Sequence, residues 1–180
     1  MKKNNRFAVR ACSIVTAGGM LLGSGAALAA NSDITGHWAE ATLQAFINKG
    51  YLAGYGDGIY KPDNTITRAE FSAIANEVKQ YIEGSANIAR YTDVSEKDWF
   101  YADLSAALKA GYMKGTTATT MEPNKNLTRA EGFTMVANML GLECNGTRAD
   151  LKGFADAADV PEWAVPYVGA LVREGLIAGY

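Results

Sequence analysis

Thr67-Arg68-Ala69-Glu70 returns letter for letter as Thr128-Arg129-Ala130-Glu131, and each copy stands in front of an apolar run with helical spacing. The pattern is that of a helix start. In a capping box the hydroxyl of the cap residue accepts a hydrogen bond from a backbone N–H one turn on, and the acidic side chain three residues later reaches back to the cap's own N–H. The spacing predicts such boxes from Thr67 with Glu70 and from Thr128 with Glu131. Arginine in a first helical turn is less expected, since the helix dipole there favours acidic side chains by about 0.3–1 kcal/mol. Arg68 and Arg129 therefore need a reason outside their own helices.

Working outward from this element, Trp38, Gly50, Gly54, Pro62, Arg68 and Glu70 are matched without a gap by Trp99, Gly111, Gly115, Pro123, Arg129 and Glu131, a constant offset of 61. A third copy opens with Trp163, Gly175 and Gly179 at the same internal spacings of twelve and four, and the sequence stops at Tyr180. This is a repeat protein. The expected units are residues 33–84, 91–142 and a partial 154–180, the third carrying the first half of the pattern and ending before the proline and the Thr-Arg-Ala-Glu element. Truncation of a longer chain is one reading of that ending.

The first residues differ from the rest. Lys2, Lys3, Arg6 and Arg10 precede an acid-free run of small and apolar residues from Ala11 to Leu28, closed by Ala27-Leu28-Ala29. This is the form of a secretory signal peptide, expected over residues 1–29. Gly18, Gly19, Gly23 and Gly25 thin the run, whereas a membrane span needs about 20 strongly apolar residues. No transmembrane segment is expected after cleavage. Cys12 stands at the start of the apolar run, the wrong end for a lipid anchor.

Removing that segment takes four basic residues and no acids, leaving 13 Lys and Arg against 19 Asp and Glu, a net charge of −6. So acidic a chain is a poor partner for nucleic acid. Cys144 is then the only cysteine and His37 the only histidine, so no intrachain disulfide is possible and neither metal nor cofactor is expected. Asp57-Gly58 lacks the further acids of a calcium loop. About 150 remaining residues suit one core, which the repeats would share.

In chain order, Asp33 or Thr35 is expected to cap a helix running to Lys49 and carrying Trp38, Ala41, Ala45 and Phe46, with Gly50 closing it. Gly54-Tyr55-Gly56-Asp57-Gly58 reads as a turn, and Ile59-Tyr60-Lys61-Pro62 as extended. The second helix is expected from Arg68 to about Tyr81, burying Phe71, Ile74, Ala75 and Val78. Unit two repeats this plan, with Phe133, Val136, Ala137 and Leu140 on its second helix, and a polar linker from Glu143 to Lys152 follows. Unit three restarts at Phe154-Ala155-Asp156, with Val168 and Leu171 to Leu176 on its helix. Each unit is too small to bury its own stripe, so Phe71 and Ile74 are expected against Phe133 and Val136. The stripe after Trp163 should lack part of its cover.

At these residues the chain resembles the S-layer homology family. Gly54-Tyr55-Gly56-Asp57-Gly58-Ile59-Tyr60-Lys61-Pro62 and Ile66-Thr67-Arg68-Ala69-Glu70-Phe71 carry the resemblance most strongly, followed by Leu127-Thr128-Arg129-Ala130-Glu131 and Tyr91-Thr92-Asp93-Val94. The resemblance implies a mainly α fold, helix-turn-helix units packed as a pseudo-threefold bundle, here with the third unit incomplete. It also implies grooves between units that bind cell-wall polysaccharide, in many members a pyruvylated sugar, or modified peptidoglycan. Carried over, the arginine of the motif is the anion contact, and aspartate and tryptophan of a neighbouring unit line the groove. Arg68 would then face Asp93 and Trp99, and Arg129 would face Asp156 and Trp163.

The residues allow a plainer reading beside this one. Arg68 and Arg129 could form structural ion pairs with Asp93 and Asp156, since the guanidinium fork matches a carboxylate on a side chain as well as on a sugar. Trp38, Trp99 and Trp163, at helix starts, read as core, though an indole can line a sugar groove. His37 reads as a surface or capping residue. Glu70 and Glu131 could imitate a glycosidase pair, but their capping boxes already account for them, and no nucleophile has an oriented base. The expectation is a secreted, non-enzymatic anchoring module of the bacterial cell wall or S-layer. The alternatives are a fragment of a larger exported enzyme or S-layer protein, and a protein–protein assembly module.

Overall fold

A computed structural model describes residues 32–179. The expected signal peptide lies outside them. Among the described residues the fold is mainly α-helical: α1 (Glu40–Asn48), α2 (Arg68–Lys79), α3 (Tyr101–Ala110), α4 (Arg129–Met139) and α5 (Val165–Arg173), joined by turns and short 3-10 segments. The only β pairing among these residues is a single antiparallel bridge between Thr67 and Asn126. The chain divides into two compact units, one ending at Asn64 and the other beginning at Thr65.

In the first unit an aspartate organises the turn. The carboxylate of Asp33 accepts the backbone N–H of Tyr60 at 2.8 Å and of Lys61 at 2.7 Å. That engagement is why Asp33 does not cap α1 as the sequence suggested. The helix begins later, at Glu40, without a side-chain cap. Glu40 instead reaches back to the Gly36 N–H at 2.8 Å, and His37 Nδ1 accepts the Ala39 N–H at 3.2 Å. Gly54 sits at φ +70° with its α-carbon against the Ile59 carbonyl, where a Cβ would come within 2.8 Å. Only glycine fits there.

In the second unit both capping boxes form as the spacing predicts. Thr67 Oγ1 accepts the Glu70 N–H while Glu70 Oε2 accepts the Thr67 N–H at 2.8 Å, and Thr128 with Glu131 repeats the arrangement. Helices pair across the repeat boundaries: α2 packs on α3 and α4 packs on α5. One apolar cluster gathers Leu104, Tyr112, Met113 and Met121 with Phe71 against it, and another gathers Leu151, Val165 and Val168 with Phe133 against it. Phe71 and Phe133 thus serve separate clusters, contrary to the expected packing of one on the other. Val168 and Leu171 are buried, because α4 and the 3-10 turn Arg148–Leu151 pack against α5. The expected gap in the cover of the stripe is therefore filled at Val168 and Leu171, whereas Leu176, on the same stripe, stays 53 % exposed. That turn lies in the stretch read as a polar linker, and it sends Leu151 into the core.

The tryptophans are not core. Trp38 is 88 % exposed, Trp99 51 % and Trp163 53 %. The following residues take the interior instead: Phe100 is buried with Trp99 set edge-on against it, ring centres 5.4 Å apart, and Ala164 and Val165 are buried after Trp163.

Candidate functional site

The start of α2 is sewn into the turn of the next repeat. The N–H groups of Arg68 and Ala69, orphaned by their place in the first turn, donate to the carbonyls of Lys125 at 3.0 Å and Pro123 at 2.9 Å. The Leu127 N–H returns a bond to the Ile66 carbonyl at 2.9 Å. The Arg68 side chain follows the same path inward and is only 6 % exposed. Its Nε donates to the Met121 carbonyl at 2.8 Å and its Nη2 to the Lys114 carbonyl at 2.7 Å. Burial pushes the guanidinium pKa down, while the charges of Glu131, Glu122 and Asp93 oppose that shift. This socket supplies the reason, outside its own helix, for arginine at the helix start.

Asp93 stands behind the socket. Its Oδ1 accepts the Met121 N–H at 2.9 Å and its Oδ2 accepts the Glu122 N–H at 2.8 Å. The carboxylate is therefore bonded to backbone, and Arg68 and Asp93 make no direct ion pair.

Arg68 and Trp163 line one cleft of about 160 Å³, together with Glu131, Thr134, Asn138 and Tyr167. Nη1 of Arg68 has no protein acceptor among the described residues. Burial raises the Glu131 carboxyl pKa, but the Thr128 N–H, the Thr128 hydroxyl and Lys125 outweigh it and hold the group below the ordinary carboxylate range. The cleft thus brings the Arg68 guanidinium together with Glu131, Asn138, Trp163 and Tyr167, residues drawn from three sequence repeats, and Tyr112 and Lys114 also line it.

The other expected residues lie elsewhere. Arg129 is exposed and rests over the Phe133 ring, 5.3 Å from its centre. Asp156 is exposed just before the 3-10 turn Ala157–Asp159, and Trp99 packs on Phe100. Neither these three residues nor Asp93 lines the cleft that holds Arg68 and Trp163. Thr134, Asn138 and Tyr167 were missed by sequence reasoning. Their signal was positional: Glu131, Thr134 and Asn138 share a face of α4, and Tyr167 follows Trp163 by four residues. No group of three or more metal-ligating side chains is gathered among the described residues, and no helix there is long and apolar enough to cross a membrane.

The family model of the S-layer homology domain matches residues 32–72, 90–131 and 153–180. A surface-layer 125 kDa protein of Lysinibacillus sphaericus is 34 % identical over 185 aligned positions, covering 99 % of this chain and 15 % of that protein. Exoglucanase XynX of Acetivibrio thermocellus is 29 % identical over 150 positions, covering 82 % of this chain and 14 % of the enzyme. A cellulosome-anchoring protein of Acetivibrio thermocellus is 34 % identical over 73 positions, covering 41 % of this chain and 16 % of that protein. The chain thus spans only a small part of the length of these relatives. With the repeated turn-and-capping-box plan in both full repeats and the family model matched in all three, the chain belongs to the S-layer homology family.

Proposed function

We propose that this chain tethers an exported protein non-covalently to the cell wall, with the cleft between Arg68 and Trp163 as its glycan-binding groove. Location at the cell surface, in the wall or surface layer, accompanies family membership. The observation that carries the proposal is a guanidinium locked by two carbonyls, with Nη1 left for a ligand beside a half-exposed indole. Such a pair suits a sugar ring bearing an acidic substituent: the indole face packs on the ring and the guanidinium receives the carboxylate. The ligand is a cell-wall polysaccharide, with a pyruvate ketal as one fitting substituent, or a modified peptidoglycan. Arg129 and Asp156, both exposed, are the candidates for a second contact, and Trp99 is a further aromatic surface for the glycan. The activity of relatives named as enzymes belongs to those proteins, of which this chain matches a small fraction.

Trp163→Ala tests the groove with little disturbance of the core, because the indole is half exposed. Its dissociation constant for purified wall fragments should rise about tenfold, the scale of one aromatic stacking contact. Arg68→Gln should weaken binding further, since a charge-assisted hydrogen bond contributes roughly 1.5–3 kcal/mol. Binding of Trp163→Ala indistinguishable from wild type would overturn the groove assignment.

A further inference from the structure

We propose that Asp93 is a positioning residue for Arg68: it holds the peptide between Met121 and Glu122 in the one orientation that turns its carbonyl toward the guanidinium. The inference rests on the groove reading only where it concerns binding. The geometry stands apart from it. The Met121 carbonyl and the Glu122 N–H belong to the same peptide group and point to opposite sides of it. On one side Arg68 Nε donates to that carbonyl at 2.8 Å, and on the other the Glu122 N–H donates to Asp93 Oδ2 at 2.8 Å. A cation, a peptide and an anion are thus in series, and each bond polarises the next.

The backbone says why a clasp is needed. Glu122 has φ +49°, a region that side-chain-bearing residues rarely occupy, and it precedes Pro123, which itself favours an extended conformation. A flip of the Met121–Glu122 peptide would return φ of Glu122 to negative values and relieve that strain. It would also turn the carbonyl away from Arg68. Asp93 opposes the flip through the Glu122 N–H, while its bond to the Met121 N–H, in the preceding peptide, anchors the carboxylate in place. The first repeat has the same device: Asp33 holds the Tyr60 and Lys61 N–H groups, and Lys61 has φ +51° before Pro62. Its recurrence at an equivalent place marks the clasp as a built feature.

The test follows the Arg68 Nε–H by NMR in the full chain. In Asp93→Ala its exchange with solvent should accelerate by about tenfold or more, the ratio expected for losing a hydrogen bond to a charged group. Asp93→Asn should recover part of the protection, because one amide oxygen can still accept. Asp33→Ala removes the equivalent clasp of the first repeat and should leave Arg68 at the wild-type rate. In the wild-type protein, the Glu122 amide and the Arg68 Nε–H should open with the same free energy, since one flip breaks both bonds. Unequal opening overturns the proposal even if Asp93→Ala does not fold. Wall-fragment binding separates the two readings. If Trp163→Ala weakens binding while Asp93→Ala keeps both wild-type exchange and wild-type affinity, the positioning role is wrong and the groove stands. If Asp93→Ala frees the Arg68 Nε–H and neither variant loses affinity, the positioning role stands and the groove is wrong.

Discussion

At the scale of single residues, the interior between α2 and α3 is held by polar groups as well as apolar ones. The Tyr112 hydroxyl, in a residue that is 1 % exposed, donates to Asn76 Oδ1 at 2.8 Å. Asn76 Nδ2 in turn donates to the Asp103 carbonyl at 2.9 Å. Burial, more than any neighbouring charge, pushes the Tyr112 pKa up, so the phenol remains a neutral donor. Tyr112→Phe would leave Asn76 Oδ1 buried without that donor, and a stranded buried polar group costs about 1–3 kcal/mol. Chemical denaturation should read a loss in that range, and an unchanged midpoint would mean that water or a rotated amide replaces the phenol. This network was not legible in the sequence, because a search for apolar periodicity passes over Asn76 and Tyr112. The tryptophans misled for a related reason. Size and aromaticity argue for the core, but after Trp99 the interior is taken by Phe100, and after Trp163 by Ala164 and Val165.

At the scale of elements, the capping boxes were legible because they are local: four consecutive residues contain both partners. The buried face of α2 was not. The sequence pointed to Phe71, Ile74, Ala75 and Val78, yet the fully buried residues are Arg68, Ala69, Ser72, Ala75 and Asn76. Small side chains let α3 approach closely, and that requirement comes from the partner helix, which an apolar stripe does not name. The cap of α4 carries a pH-dependent prediction. Glu131 is held below the ordinary carboxylate range in the folded chain, so its contribution is present above the unfolded pKa and is lost as pH falls through the folded value. The difference in stability between wild type and Glu131→Gln should therefore shrink on acidification below about pH 4.5, the ordinary value for glutamate. A difference that stays constant from neutral pH to strong acid would remove the carboxylate from the cap's energetics. Thr128→Ala should cost about 1 kcal/mol, the usual loss for a capping hydroxyl.

At the scale of the whole molecule, recurrence and cohesion have different phases. A period of 61 residues is visible from matched letters, but the same periodic chain can be divided anywhere along its period without changing the pattern. Packing chooses the division. The second compact unit begins at Thr65, immediately before the first Thr-Arg-Ala-Glu element, because α2 lies on α3 and the start of α2 is bonded to the turn around Met121 and Lys125. A fragment of residues 65–180 should accordingly unfold in one cooperative thermal transition. A fragment of residues 91–180 respects the repeat boundary but removes α2, and with it Ala69 and Ala75 from the cluster around Leu104, Tyr112 and Met121. Exposing that apolar surface costs roughly 25 cal/mol per Å², and the carbonyls of Met121 and Lys114 would lose the Arg68 guanidinium. The shorter fragment should lose near-ultraviolet circular dichroism and bind a hydrophobic dye while the longer one does neither. Equal cooperativity and melting temperature in the two fragments would mean that α2 is dispensable to the core and that the letter repeat is also the folding unit.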